Sequence, residues 1–255
     1  MSAIKNIIKN IPGIRPLYRF SRRIYALIFF TGSKYGCPIC DRSFRKFFPY
    51  REGLEVKENV FCPYCGSAER HRLEFLFFSQ YTNIFSRKNK VLHFAPEPIF
   101  TEYFCKNHSI EYISGYIEKG RAMCVMDITD IQFEDGRFDY IICNHVLEHV
   151  LDEKKALSEI KRVLKPRGKA IITVPISYTS ETTLERPTSS DQERLELYGQ
   201  HDHVRLYGAD FPDRLRNFGF EVETFSAGIE ISSEMVEQYR LNKGETVYIA
   251  IKAIA

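Results

Sequence analysis

Phe138-Asp139-Tyr140-Ile141-Ile142-Cys143 is followed by Asn144, and after Asp152 by the run Glu153 to Leu164, and then by Ala170-Ile171-Ile172-Thr173-Val174. An apolar run, an amphipathic run and a second apolar run read as strand, helix, strand. In the middle segment Ala156, Leu157, Ile160, Val163 and Leu164 form a single helical stripe, Asp152 stands where it can cap the first turn, and Pro166 with Gly168 is expected to stop the helix. The same alternation extends outward. Apolar strands are expected at 91–94, 110–117 and 122–126, with a helix at 99–105. After the central unit come a helix opened by Asp210, carrying Phe211, Leu215 and Phe218 and stopped at Gly219, and closing strands at 220–225 and 246–253. Repeated β-α alternation predicts an α/β fold with a doubly wound, mostly parallel sheet, whose ligands bind beyond the carboxyl ends of the strands. The polar stretch 176–209 is too long for an ordinary connection and reads as a lid or substrate loop.

The 255 residues, 44% hydrophobic and 27% charged, have the composition of a globular chain with a sizeable core, not of a disordered, collagen-like or coiled-coil protein. The apolar run Ile24 to Phe30 falls well short of the ~18 residues needed to span a bilayer. Net charge is +3, yet the first acidic residue is Asp41, so residues 1–40 carry +7 and the remainder −4. A nucleic-acid binder spreads its basic surface over the folded body; this distribution argues against a nucleic-acid partner. Within the basic head, 17–30 can form an amphipathic helix whose arginines meet anionic lipid while Ile24, Leu27 and Ile28 enter the interface, so peripheral membrane contact through residues 1–30 stands beside simple packing on the body. No small-residue cleavage site follows the apolar run, and a chain of this size does not need disulfides, which places it in a reducing cytoplasm, at the inner membrane if the head touches lipid. The organisation expected is a basic apolar head (1–34), a knuckle with a connecting helix (35–87) and a catalytic domain (88–255).

Cys37-Pro38-Ile39-Cys40 and Cys62-Pro63-Tyr64-Cys65-Gly66 are two C-x-x-C pairs separated by 21 residues. Two such turns complete a closed tetrahedral thiolate shell, so Cys37, Cys40, Cys62 and Cys65 are expected to hold a structural Zn2+ ion. A redox dithiol needs one pair only, in a thioredoxin-like context. A helix is expected to begin at Ser67 and fix the knuckle to the domain after it. Cys105, Cys124 and Cys143 lie among apolar residues and read as small core side chains.

Strand Val91-Leu92-His93-Phe94 runs into Ala95-Pro96-Glu97-Pro98, where a phosphate-binding turn would need glycines. None is present, which disfavours a dinucleotide or nucleoside triphosphate. These residues, together with Met126-Asp127-Ile128-Thr129-Asp130-Ile131, the segment Phe138 to Val150, Arg162-Val163-Leu164-Lys165-Pro166-Arg167-Gly168 and Gly199-Gln200-His201-Asp202-His203-Val204-Arg205, resemble the class I S-adenosylmethionine-dependent methyltransferases of the type 11 kind, and within them a bacterial group with an N-terminal zinc knuckle. The resemblance runs from about Cys37 to the C-terminus and implies a seven-stranded Rossmann-like sheet with S-adenosyl-L-methionine as cofactor. It implies that His93, Phe94, Ala95, Pro96 and Glu97 lie under the methionine part, that Asp127 accepts a hydrogen bond from the adenine amino group with Ile128 on its ring, and that Asn144 and His145 flank the sulfonium. The ribose carboxylate of the family is replaced by Tyr116, with Glu118, two residues on, as the substitute from the same strand face.

A sulfonium is an activated methyl donor, so the protein must align the reactants and remove a proton when the acceptor is a hydroxyl. His201, Asp202 and His203 are candidates, with His203 favoured as base because imidazole titrates near neutrality. The expected acceptor is a small molecule or a glycan- or lipid-linked hydroxyl, giving an O-methyltransferase; a protein acceptor stays open, as does a non-catalytic scaffold with a degenerate methyltransferase fold. His145-Val146-Leu147-Glu148-His149 also matches the inverted zinc-protease motif H-x-x-E-H, which belongs inside a long helix. Here it follows an apolar strand directly, so His149 reads as a packed or hydrogen-bonded residue near a helix start.

Overall fold

The computed structural model describes residues 14–52, 55–86, 88–187 and 190–254. They form two compact units, one from the chain up to Tyr81 together with Ser226–Glu245, the other from Thr82–Phe225 together with the C-terminal stretch from Thr246.

In the first unit, helix α1 (Ile14–Phe29) leads into hairpin β1 (Thr31–Cys37) and β2 (Arg42–Phe44), a second hairpin β3 (Phe48–Glu52) and β4 (Glu55–Phe61), and helix α2 (Glu69–Leu76) extended by a π-helical turn, Phe77–Tyr81. Helix α2 starts later than Ser67. Ala68 occupies the N-cap position, and its amide donates to His71 Nδ1 at 3.1 Å, while Ser67 turns to the cysteines. Ala26, Phe30, Tyr35, Phe44 and Phe47 pack around Cys37 and Cys62 as a small aromatic core. Arg72 is the largest fully buried side chain of this unit. It donates to the carbonyls of Val60, Ser67, Tyr239 and Arg240 at 2.6 to 3.0 Å and stacks over Phe47 at 4.8 Å. A buried guanidinium is tolerable only when its donors are met in this way. It joins strand, knuckle and the late segment into one body.

The second unit holds β5 (Asn89–Phe94), α3 (Pro98–Lys106), β6 (Ile110–Tyr116), β7 (Cys124–Val125), β8 (Phe138–Asn144), α4 (Glu153–Val163), β9 (Leu164–Thr173), α5 (Asp191–Tyr198), α6 (Phe211–Asn217) and β10 (Phe220–Ser226). Between β10 and the last strand come α7 (Ala227–Glu230) and α8 (Ser233–Gln238), which belong to the first unit and which periodicity leaves unassigned; β11 (Thr246–Lys252) closes the chain. The seven strands run β10-β11-β9-β8-β5-β6-β7. Strands β6 and β8 are both parallel to β5, β7 continues parallel to β6, β9 is parallel to β8, and β11 is antiparallel to β9. The sheet is the doubly wound, Rossmann-like one expected. Its order reverses between β5 and β8, which opens a crevice beyond their carboxyl ends.

Helix α4 follows its sequence signals at the start: Asp152 Oδ1 accepts from the Lys155 amide at 2.9 Å, and Ala156, Leu157, Ile160 and Val163 are fully buried against the sheet. The stop differs. The helix gives way at Leu164 directly to β9, with Pro166 to Gly168 inside the strand at a register shift. Gly168 is needed there because a Cβ would stand 2.9 Å from the Lys165 carbonyl oxygen. Cys143 is buried and Cys124 partly so, but Cys105 is exposed on α3, on the side of the helix away from Phe100 and Phe104.

The 176–209 stretch is not a free loop. It contains α5 and is pinned by bridges Ile176–Tyr207 and Leu184–Leu206. Arg205, 1% exposed, donates to the Leu147 and Val150 carbonyls at 2.5 and 2.6 Å and pairs with Glu185 at 2.6 Å. Tyr207 donates to Glu153 at 2.6 Å. These fastenings hold 201–207 firmly against the turn after β8.

Candidate active site and cysteine centre

The four knuckle cysteines converge from the end of β1, the turn after it, the end of β4 and the turn before α2. Their sulfurs all lie within 4.8 Å of one another, with Cys37 to Cys65 at 3.5 Å and Cys40 to Cys62 at 3.8 Å. A tetrahedral ion with Zn–S bonds of ~2.3 Å separates its sulfurs by roughly 3.8 Å, so the cluster fits that shell. Gly66 makes the second turn possible: its φ of +81° is left-handed, and its amide donates to the Cys62 carbonyl at 2.9 Å. Hydrogen bonds from the neighbouring thiols and the Ser67 hydroxyl push the Cys37 thiol down against the opposing effect of burial. The Arg72 cation, its own pKa lowered by burial, is in turn held charged by Cys37, Cys62 and Cys65.

In the second unit a cavity of about 400 Å³ opens at the carboxyl ends of β5, β6 and β8, the size class of small-molecule sites. Two of its wall residues share an unusual backbone. Ala95 follows β5 with φ +47°, and His145 follows β8 with φ +50°. Non-glycine residues in this region carry strain and cluster at functional sites. Each is held by its neighbour strand, Ala95 N–H to the Gly115 carbonyl at 3.0 Å and His145 N–H to the Thr173 carbonyl at 2.9 Å. The turn that glycines make in phosphate-binding folds is here made by an alanine and a histidine.

The site candidates divide into wall and support. Phe94, Ala95, Asp127, Ile128, His145 and Asp202 line the cavity. Asp127 Oδ1 accepts from the Thr129 amide and hydroxyl, both at 2.8 Å, which fixes the carboxylate and leaves Oδ2 without a partner among the described residues. His93 is fully buried beneath the wall, its Nδ1 3.0 Å from the Tyr112 hydroxyl and its Nε2 2.8 Å from Glu97. Glu97 receives the Asn144 amide at 3.3 Å, and Asn144 Oδ1 accepts from Thr173 at 3.1 Å. His93, Glu97 and Asn144 thus form a buried network that braces both strand ends at the switch point, with Pro96 between them in the turn. Tyr116 lines the cavity, whereas Glu118 is exposed and pairs with Arg121 at 3.1 Å, off the wall. Arg121 stacks over the Tyr116 ring at 4.7 Å and donates to its hydroxyl at 3.3 Å. The ring is held to the side, and the cavity stays open.

His201 is exposed and His203 is buried, and neither is on the wall. Burial lowers the His203 pKa from its ordinary value, with Glu148 and a backbone hydrogen bond at Tyr198 acting the other way. His145 Nδ1 sits 3.3 Å from Glu148 Oε1, and its Nε2 has no hydrogen-bond partner among the described residues. The H-x-x-E-H segment spans a strand end and a 3₁₀ turn (Leu147–His149), so it is not the helical protease motif. The sequence reading does not mark Gly115, Ile117, Met126, Val146, His149 and Val150 as wall residues. Gly115 carried a signal. A glycine inside a strand marks close approach, and a Cβ there would meet the Met126 side chain at 3.1 Å.

A methyltransferase domain family matches residues 102–172, the stretch from α3 to β9 that builds this switch point. Over that stretch the chain is similar to methyltransferase domains. An arsenite methyltransferase of Aquipseudomonas alcaligenes is 30% identical over 113 residues, covering 44% of this chain and 28% of that protein. A demethylmenaquinone methyltransferase of Clavibacter sepedonicus is 41% identical over 71 residues, covering 24% of this chain and 29% of that one. The matched stretches span between 11% and 65% of the curated relatives' lengths. Among solved structures, that of the cyclase SpnF superposes with a TM-score of 0.53 at 14% identity, covering 74% of this chain and 83% of that one, which is a likeness of fold.

Proposed function

We propose that this protein transfers a methyl group from S-adenosylmethionine to a hydroxyl of a small or glycan- or lipid-linked acceptor. The observation that carries the reading is the open cavity at the β5/β8 switch point, walled by residues of the segment that matches the methyltransferase domain family. The residues fit an adenosyl group: Asp127 offers one carboxylate oxygen to an exocyclic amine, Ile128 and Met126 give apolar contact, and the Tyr116 ring replaces a ribose carboxylate. When bound, the cofactor supplies an electrophilic methyl. His145 on the wall serves as base. Its Nδ1 lies 3.3 Å from Glu148 Oε1, which can orient the ring as it takes the acceptor's proton. Calorimetry with S-adenosylhomocysteine tests the donor half: micromolar binding to the wild type is expected, and no heat at millimolar ligand overturns the reading.

The knuckle is proposed to hold one structural zinc ion, as its sulfur spacing and closed shell support. No helix among the described residues is long and apolar enough to cross a membrane. On α1 the residues Leu17, Phe20, Ile24 and Ile28 form one exposed apolar stripe, while Ala26 is buried, Arg22 donates to the Tyr64 carbonyl at 3.0 Å and Arg23 stacks over the Tyr64 ring. The stripe, attached to a segment of +7 charge, is proposed to rest on an anionic lipid surface. Flotation with phosphatidylglycerol-containing vesicles checks this. The wild type should float and Phe20→Glu/Ile24→Glu should stay at the bottom.

A further inference from the structure

The turn after β8 and the fastened segment 201–207 bring together a second donor cluster, apart from the cysteines. One ligand atom from each of Glu148, His149 and His203 lies within 4.8 Å of the other two. Glu148 and His203 are 1% and 4% exposed, and each presents a buried polar atom without a hydrogen-bond partner among the described residues, Glu148 Oε2 and His203 Nδ1. A carboxylate oxygen and an imidazole nitrogen without partners are costly to bury unless something binds them.

The remaining atoms of Glu148 and one nitrogen of His149 are already engaged. Glu148 Oε1 is 3.3 Å from His145. His149 Nδ1 is 3.1 Å from the Asp202 carbonyl and 3.4 Å from its carboxylate, which leaves Nε2 free as donor atom. His203 Nδ1 has no partner among the described residues and is the atom available to a ligand. Metal-binding histidines are oriented as His149 is here, one nitrogen giving its proton to a carbonyl or carboxylate so that the other points its lone pair at the ion. The two rings stand nearly perpendicular, 77° apart with centroids at 4.8 Å, so they flank a common point without stacking.

We propose that Glu148, His149 and His203 bind a divalent metal ion, Zn2+ by the chemistry of the set. Two imidazoles and one carboxylate are a zinc ligand set that leaves a fourth position open, unlike the closed thiolate shell of the knuckle. Bonds of ~2.1 Å require the ligand atoms to draw in to roughly 3.4 Å from one another; His149, about one-third exposed, is the side chain with room to move. His149 also belongs to the cavity wall, so the ion would stand beside the donor pocket.

The test is zinc stoichiometry of the full-length protein, saturated with Zn2+, passed through gel filtration and measured by a colorimetric chelator. Two equivalents are expected in the wild type, and one in His149→Ala and in Glu148→Gln, with affinity for the second equivalent reduced at least tenfold in a direct titration. His149→Ala removes a partly exposed ring, and circular dichroism confirms that it is folded. A single equivalent in the wild type, or a second equivalent undiminished in both variants, overturns the proposal. Titrating S-adenosylhomocysteine into protein holding one equivalent reads the donor pocket separately, so failure of the second zinc and failure of the methyl-transfer reading are distinguishable.

Discussion

The cysteine knuckle and the Glu148–His149–His203 cluster both gather donors round one point, and they do so at opposite ranges of sequence. In the knuckle each half is local: two thiols three positions apart meet in one tight turn, and only the two turns must find each other. In the second cluster Glu148 and His149 are neighbours, but His203 arrives across more than fifty residues. What brings it there is the anchoring of Arg205 on the Leu147 and Val150 carbonyls and of Val204 on the Glu148 carbonyl. The difference teaches that a site is readable to the extent that its spacing is set by one turn, and hidden where a fastened loop sets it.

The largest effect expected tests the knuckle side. Cys62→Ser, or chelation of zinc, should unfold the first unit, because structural zinc contributes on the order of 10 kcal/mol or more to such small modules. The aromatic near-ultraviolet signal from the Phe30, Phe44 and Phe47 core should be lost. Survival of that signal without metal would place the unit's stability in its apolar core and Arg72 instead. For the second unit the corresponding blow is a cavity in the sheet's cover. Leu157→Ala should cost about 2–5 kcal/mol in urea unfolding, since Leu157 is fully buried between α4 and the sheet.

A smaller effect separates binding from folding. Asp127→Ala should weaken S-adenosylhomocysteine about 10- to 100-fold by calorimetry, the value of one hydrogen bond to a charged acceptor, with unchanged melting temperature. An unchanged affinity would remove Asp127 from the adenine contact. The smallest is a pH effect. Arg162 hydrogen bonds, with help from the Ile131 amide, hold the Glu159 carboxyl down to about 2 from an ordinary 4.5. A depressed folded pKa stabilises at pH values above about 4.5, and that contribution is lost as pH falls toward 2. Glu159→Gln should therefore melt below the wild type near neutrality, and the gap between the two melting temperatures should narrow as pH drops from 5 to 2.

Much of the second unit is written in short-range pattern. The stripe of α4, the Asp152 cap and the apolar runs of β5, β6 and β8 are each decided by residues within one or two turns, and the strands fall within a few positions of where the runs stand. Two readings differ from the structure. Pro166 and Gly168 read as a helix stop, and the helix does end before them, yet they sit inside β9, in the irregular stretch between the Phe138–Leu164 and Tyr140–Lys169 pairs. Polar composition made 176–209 look like a loose lid, although Arg205 and Tyr207 bury themselves in it through hydrogen bonds that no periodicity reveals. At the candidate site, Asp127 and His145 are placed by the family resemblance of the strand ends that carry them. The inward turn of His93 and Asn144, the outward turn of Glu118 and the wall position of His149 depend on rotamers and on partners distant in sequence.

The amino-acid sequence alone determined the alternation that builds a doubly wound sheet and the thiol spacing that builds a four-cysteine centre, since periodicity and turn geometry act over a few residues. Only the folded chain decided that Ala95 and His145 take left-handed backbones around an open cavity, and that His203 meets Glu148 and His149. Those outcomes are set by contacts between strands and loops tens of residues apart, where the energy of pairing and burial, not local preference, selects the conformation.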